Sequence, residues 1–363
     1  MKTLQYKSSL WAFLLVPFLL CANTGYQGGK YTKEKTIKKE FNVNSDALFK
    51  VTNSYGNLNI TSWNENRVVI EVQIKADGND EERVQQRLNE IDVDFENSAS
   101  MVSARTLFGD RGKSWGWNWG NRRNVSIQVN YTVKLPVKNS VNLSNDYGNI
   151  YLDRIDGHAK INCDYGKIDV GELRGRNNEL KFDYTSRSTF DYINSGEIIA
   201  DYSGFTIEKA GNLRVKADYT NAVIKQMEDL EYSSDYGSIE VEEVNNVNGN
   251  GDYIGVKLGT VHGNVSLTSD YGSIKISDMA PDAGNINIKT DYTGIKIGYS
   301  AQYYFDFEIS TEYAGVSGKD DFEINISKEK SNEKYYKGYY GKQNSGNTVS
   351  ITSDYGGITF YQN

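Results

Sequence analysis

The sequence predicts an all-β fold, a parallel β-solenoid (a right-handed β-helix) with about 17–21 residues per coil and an N-terminal α+β cap. Three observations predict it. First, an Asp-Tyr pair followed by a small or turn-forming residue returns at Tyr147, Tyr165, Tyr184, Tyr202, Tyr219, Tyr236, Tyr253, Tyr271 and Tyr292, in steps of 17 to 21 residues. Tyr313 and Tyr355 continue it, their separation of 42 being two steps of 21, and Tyr55 stands as an outlying first copy. Second, each interval holds two short apolar alternations separated by turn residues, enough for two strands and two turns. Third, there are 3 prolines against 34 glycines and 27 tyrosines, and 12 of those tyrosines hold the repeat position. Prolines are excluded from the interior of sheets, and aromatic and β-branched residues favour them.

In chain order, the first segment is residues 1–22. Lys2 and Lys7 precede an apolar run from Leu10 to Leu20, too short to span a membrane and of the right length for a signal peptide, with cleavage near Ala22. Cys21 is a candidate lipidation site, and Leu20 stands before it where lipoprotein signals favour a small residue. Residues 23–40 are polar and lysine-rich and read as a flexible lead-in. Residues 41–135 read as an N-terminal cap of strands with one helix, Asp80 to Ile91, whose Val84, Leu88 and Ile91 form one apolar stripe. Residues 136–363 are the coils and a C-terminal cap, with Lys328 to Asn347 as an inserted polar loop.

Within a coil, the apolar parity switches across Gly166-Lys167, which marks a corner. Stacked tyrosines there would bury large rings and gain roughly 0.5–1.5 kcal/mol per pair. The aspartates repel one another, and each is expected to be offset by accepting a hydrogen bond from a turn amide two residues on. A second turn, carrying Gly157, Gly175, Gly249 and Gly263, is expected to use positive φ.

Tyr55-Gly56-Asn57, Trp63 before Val68-Val69-Ile70, a helix, and then Asp-Tyr-Gly-x-Ile coils resemble the adhesin domain family of exported bacterial envelope proteins, a domain of unknown function. The resemblance covers roughly residues 40–363. It implies a β-solenoid on an exported protein and brings no catalytic residues.

The candidate ligand-binding residues are Trp115, Trp117, Trp119, Arg122 and Arg123, in a glycine-rich loop where alternation puts three indoles on one face. Indole faces bind sugar rings; the competing reading is a loop packed over the open end of the solenoid. The Asp ladder is read as structural rather than calcium-binding. Cys163 occupies a small corner slot and reads as packed rather than nucleophilic, and His158 and His262 are too far apart for one metal site. No hydrolase, zincin or P-loop motif is present, so the expectation is a non-enzyme without cofactor or metal.

The net charge is −8, and loss of Lys2 and Lys7 with residues 1–22 takes it to −10, which disfavours nucleic acid as a partner. The reading is a noncatalytic envelope or surface protein, in the periplasm or on the cell surface, that binds a glycan or an envelope protein or acts as a scaffold. Its only membrane contact would be lipidation at Cys21. A polysaccharide-active enzyme and a periplasmic envelope-sensing partner stay as alternatives.

Overall fold

The computed structural model describes residues 29–109 and 125–363. Among them the chain is almost all strand, with one α-helix, Glu81–Asn89. The strands form a long, mostly parallel sheet system that does not close into a barrel. Segments 1–22, 23–28 and 110–124 of the sequence reading lie outside the described residues.

Two parallel ladders run through the molecule. One contains the strands that end at the repeat aspartate, such as Ser140–Asp146, Ala159–Asp164 and Asn178–Asp183. The other contains the strands that follow the tyrosine, such as Ile150–Ile155 and Ile168–Leu173. In the middle of the chain, Ser188–Asp201, Gly204–Asp218 and Gly237–Asp252 are single long strands that belong to both ladders. Between Ser140 and Tyr299 each paired residue meets the one 17 to 21 positions on, as in Gly204 with Asn221 and Val265 with Ile286.

This register stacks like on like. One interior column reads Val51, Leu143, Ile161, Leu180, Ile198, Val215, Tyr232, Gly249, Leu267, Ile288, Ile351, Ile309. Burial of each Leu or Ile side chain contributes roughly 1.5–3 kcal/mol. The buried residues form one connected cluster from Val43 to Phe360, so the core crosses the division at residue 136. Gly249, expected at the second turn, sits inside this column instead, where the buried ring of Tyr232 fills the space a side chain would need.

Both ends depart from the sequence reading. Residues 31–40, expected as a flexible lead-in, lie in the strand Tyr31–Asn42, paired antiparallel along its whole length with Arg67–Gly78. Its alternation was hidden because lysines stand on both faces: Lys33 and Lys35 share the half-buried side with Tyr31, Ile37 and Phe41, opposite the exposed Glu34, Lys38 and Glu40. The expected helix is shorter by its two ends: Asp80 is its N-cap, accepting from the Arg83 amide, and Ile91 opens a strand. Within the predicted cap, Leu48–Ser54 and Leu58–Trp63 already pair in parallel with Ser140–Asp146 and Ile150–Ile155, so the repeat begins there.

At the other end, the separation of 42 is not two successive steps. Thr348–Asp354 inserts between Ile286–Asp291 and Phe305–Glu312, pairing in parallel with both. The last copy in sequence is therefore next to last in space. The predicted polar loop at 328–347 is largely a hairpin, Glu323–Lys330 with Glu333–Tyr340, laid antiparallel on Phe305–Glu312. Antiparallel strands thus cover the start of both ladders and the far end of the first, while the second ends in the short parallel strand Val316–Ser317, limiting the open edges that invite further pairing.

Candidate functional site: the tyrosine edge

Each repeat turns its corner at the tyrosine. All twelve repeat tyrosines have positive φ, between 48° and 61°. That left-handed conformation is what glycine or asparagine ordinarily supplies, and it costs an L side chain of this size conformational energy. It also reverses the direction of the side chain. The residue before the Asp, such as Cys163, Ala200, Ala217 or Ser234, is buried, whereas the tyrosine two positions later points outward and is about half exposed, 41–56%. The expectation of buried rings is overturned: parity alone would have placed Tyr165 on the inner side with Ile161 and Cys163, but a residue at positive φ does not follow strand alternation.

Outside the sheet, the rings form one stack. Tyr55 lies 5.3 Å from Tyr147, and the series continues through Tyr165, Tyr184, Tyr202, Tyr219, Tyr236, Tyr253, Tyr271 and Tyr292 at 4.7–5.1 Å between centroids. Tyr292 then stacks on Tyr355 at 4.6 Å, and Tyr355 on Tyr313 at 4.8 Å, in the exchanged order set by the strands. Interplanar angles stay within 0–10°. Phe108 meets Tyr55 edge-on at 5.9 Å and ends the stack on that side. Steps at the ~4.8 Å strand spacing give a strip roughly 50 Å long.

Because the ring faces are used up in stacking, the strip presents ring edges and phenol hydroxyls. Ionisation of these phenols is held back: those of Tyr165, Tyr271 and Tyr355 lie above the ordinary value, first through desolvation, then through repulsion from the neighbouring phenols and carboxylates. These three phenols are accordingly neutral at physiological pH, and the strip is bordered on one side by the carboxylate row.

The aspartates are also used differently from the expectation. Rather than capping their own turns, they bridge repeats: Asp201, Asp218, Asp235, Asp252 and Asp270 each accept through Oδ1 from the backbone N–H of the aspartate in the next repeat, at 2.8–3.3 Å. The tyrosine amides likewise donate to the next aspartate's carbonyl, as in Tyr147 N to Asp164 O at 2.9 Å. Behind the corner, small polar side chains satisfy the buried backbone. Thr220 Oγ1 donates to Ala200 O at 2.9 Å, and Asn145 Nδ2 donates to Gly56 O at 2.9 Å.

Two asparagine ladders escaped the sequence reading. Asn130, Asn57 and Asn149 each accept through Oδ1 from the backbone N–H one repeat away, all at 2.9 Å. At the opposite turn, Asn246, Asn264 and Asn285 do the same at 2.8 Å. The signal was present: Asn57 and Asn149 follow their tyrosines by two positions, and Asn264 and Asn285 each follow a glycine directly.

Trp115, Trp117, Trp119, Arg122 and Arg123 lie outside the described residues. Cys163 is fully buried, and burial, with Asp164 and Asp146 adding to it, pushes its thiol up to about 12, so it carries no thiolate at neutral pH. His262 Nδ1 is 3.0 Å from Asp282, and His158 faces Glu179. Among the described residues, no three histidine, cysteine, aspartate or glutamate side chains converge as metal ligands.

No protein-family model and no curated protein matches the chain. Solved structures similar to it include a proposed cell-adhesion protein from Clostridium sporogenes, 14% identical, with 91% of this chain and 100% of that one covered and a TM-score of 0.17. A proposed adhesin from Parabacteroides distasonis is 13% identical, with 72% and 93% covered and a TM-score of 0.31. A proposed lipid-binding protein from the same species is 9% identical, with 90% and 96% covered and a TM-score of 0.26.

Proposed function

We propose that the chain is a noncatalytic binding or scaffolding protein of the bacterial cell envelope or surface, built as a β-solenoid that displays its tyrosine edge to a glycan or an envelope protein. The observation that carries this reading is the unbroken stack of half-exposed rings from Tyr55 to Tyr313. A monomeric soluble protein rarely leaves so long an aromatic strip uncovered unless the strip binds something. Each hydroxyl both donates and accepts, and many weak contacts at a fixed spacing add up through effective concentration. In this reading residues 1–22 direct export, the segments before residue 136 close one end, and the repeats beyond it form the displayed rod.

The test is retention of the purified chain, starting after residue 22, on isolated bacterial envelopes. Retention should fall when Tyr202, Tyr219 and Tyr236 are together replaced by serine, and glycans recovered from the envelopes should be unshortened. Retention indifferent to the triple replacement, or release of shortened glycan, overturns the reading. Protease added to intact cells separates the two locations: digestion indicates surface display, protection the periplasm.

A further inference from the structure

The outer face of the second ladder carries a feature unrelated to the tyrosine edge. Lys257, Lys275 and Lys296 lie in direct register on three successive parallel strands, Ile254–Val261, Ser273–Met279 and Gly294–Tyr299. All three are exposed, one strand spacing of ~4.8 Å apart. Like charges in register repel and would be unfavourable without a counter-charge. Lys257 has one, in Glu240. Among the described residues, Lys275 and Lys296 have no ion-pair partner.

Beside this row lies a flat aromatic ring. Tyr361 is in register with Gly298, and its ring rests so close to that glycine that a Cβ there would lie 2.7 Å from two ring carbons. The ring is anchored at its far end, where its hydroxyl donates to the carbonyls of Ile276 at 3.2 Å and Ser277 at 3.3 Å. Asn363 Nδ2 fixes the same corner, donating to Ser277 O at 2.9 Å and to Asp278 Oδ1 at 2.7 Å. The row on the other side of the lysines, Gly255, Ser273 and Gly294, carries almost no side-chain bulk.

We infer that the lysine row Lys257, Lys275 and Lys296, with the Tyr361 ring beside it, is a binding site for an acidic polysaccharide. The geometry fits such a chain in two ways. An ammonium row, with a low track along one side, meets carboxylates spaced along a polymer, and the flat, anchored ring on its other side offers a platform for the apolar face of a pyranose. A lipid surface would call for an apolar patch to insert, which this face lacks. A nucleic acid would meet a chain of net charge −8 with only three aligned lysines.

Affinity electrophoresis of the full chain tests this, with polygalacturonate as the acidic polymer and dextran as the neutral one. The expected result is retardation by polygalacturonate and not by dextran, weakened at least about tenfold in the Lys275→Gln/Lys296→Gln double variant and in Tyr361→Ala. Both sets of changes are on the surface, and unchanged circular dichroism and melting confirm that the variants are folded. No retardation, or retardation indifferent to these variants, overturns the site. Binding to anionic phospholipid vesicles that matches polygalacturonate binding and ignores Tyr361→Ala also overturns it, because charge alone would then suffice. The Tyr202, Tyr219, Tyr236 triple serine variant should keep full polygalacturonate binding; loss in that variant would transfer the binding to the tyrosine edge. The envelope-retention assay stands or falls independently of this one.

Discussion

The two corners of the repeat solve the same problem by opposite means. At one, the chain turns through a left-handed residue, and that residue is a tyrosine in every copy. At the other, Gly157, Gly175 and Gly263 have ordinary φ, and glycine is there because a Cβ would run into the repeat before it. For Gly157 and Gly175 the obstruction is a backbone carbonyl, of Asn139 and of Gly157 respectively; for Gly263 it is the Asn246 amide and the Asn245 carbonyl. Strain is therefore accepted at the tyrosine, where a side chain can be stacked outside the sheet, and side chains are removed where the neighbouring repeat's backbone stands in the way, at this turn and also at Gly148 and Gly166 beside the tyrosines. An aromatic at positive φ is uncommon singly; in a row, each ring gains two neighbours that help to offset its backbone.

Changes at the crowded corner should have the largest effect. Gly175→Val places branched carbon against the carbonyl of Gly157, which cannot move without moving the strand, so a loss of at least about 3 kcal/mol in denaturant unfolding is expected. A midpoint near that of the parent would mean that this corner has slack.

Next in size is the buried polar network behind the tyrosine corner. Asn53 donates to Asn145 Oδ1 at 3.0 Å and to Val129 O at 3.0 Å, and accepts from Thr106, which also bonds the Tyr131 hydroxyl at 2.8 Å. Asn53→Ala leaves those groups buried and unpaired and should lose about 1–3 kcal/mol, whereas Asn264→Ala, in the exposed ladder at the opposite turn, should lose about 1 kcal/mol or less. Equal losses measured by urea unfolding would erase the distinction between buried and exposed corners.

The strain itself can be weighed by comparing Tyr219→Gly with Tyr219→Ala. Both remove two ring contacts, but only glycine adopts φ of 51° freely, so the glycine variant should be the more stable by about 1 kcal/mol. An alanine variant equal to or better than glycine would show that the corner is not strained.

The smallest effect near neutrality is that of pH, which grows only in alkali. Burial raises the phenols of Tyr131, Tyr232 and Tyr303, and it pushes those of Tyr299 and Tyr336 up to about 12. The folded chain holds these protons more tightly than the unfolded chain, so the stability they contribute is intact below the ordinary phenol value of about 10 and is lost as pH rises from there through the folded values. Melting temperatures should be flat between pH 7 and 9 and fall above pH 10, with tyrosinate absorbance appearing late. A fall already complete by pH 9 would contradict this assignment.

Much of the architecture was legible because a repeat leaves an arithmetic trace: steps of 17–21 residues and a parity switch at Gly166 are properties of the sequence alone. The asparagine ladders were legible too, through a fixed offset, but an asparagine in a turn reads equally well as a local cap. What went unread at the ends did so for a different reason. Nothing in residues 31–40 or 323–340 repeats, and an exposed strand of lysines, glutamates and tyrosines carries little apolar alternation.

The sequence by itself determined the period, the strand-rich composition and the identity of the residues at each corner, because these depend on local conformation and on spacing along the chain. Tertiary structure alone decided which way the tyrosines point, that Tyr355 stacks between Tyr292 and Tyr313, and that the aspartates from Asp201 to Asp270 serve the next repeat rather than their own turns. Those outcomes depend on the conformation forced on one residue by the corner and on pairings between segments far apart in sequence, such as Ile286 with Val349, 63 residues on. Neither is encoded in the alternation of neighbouring side chains.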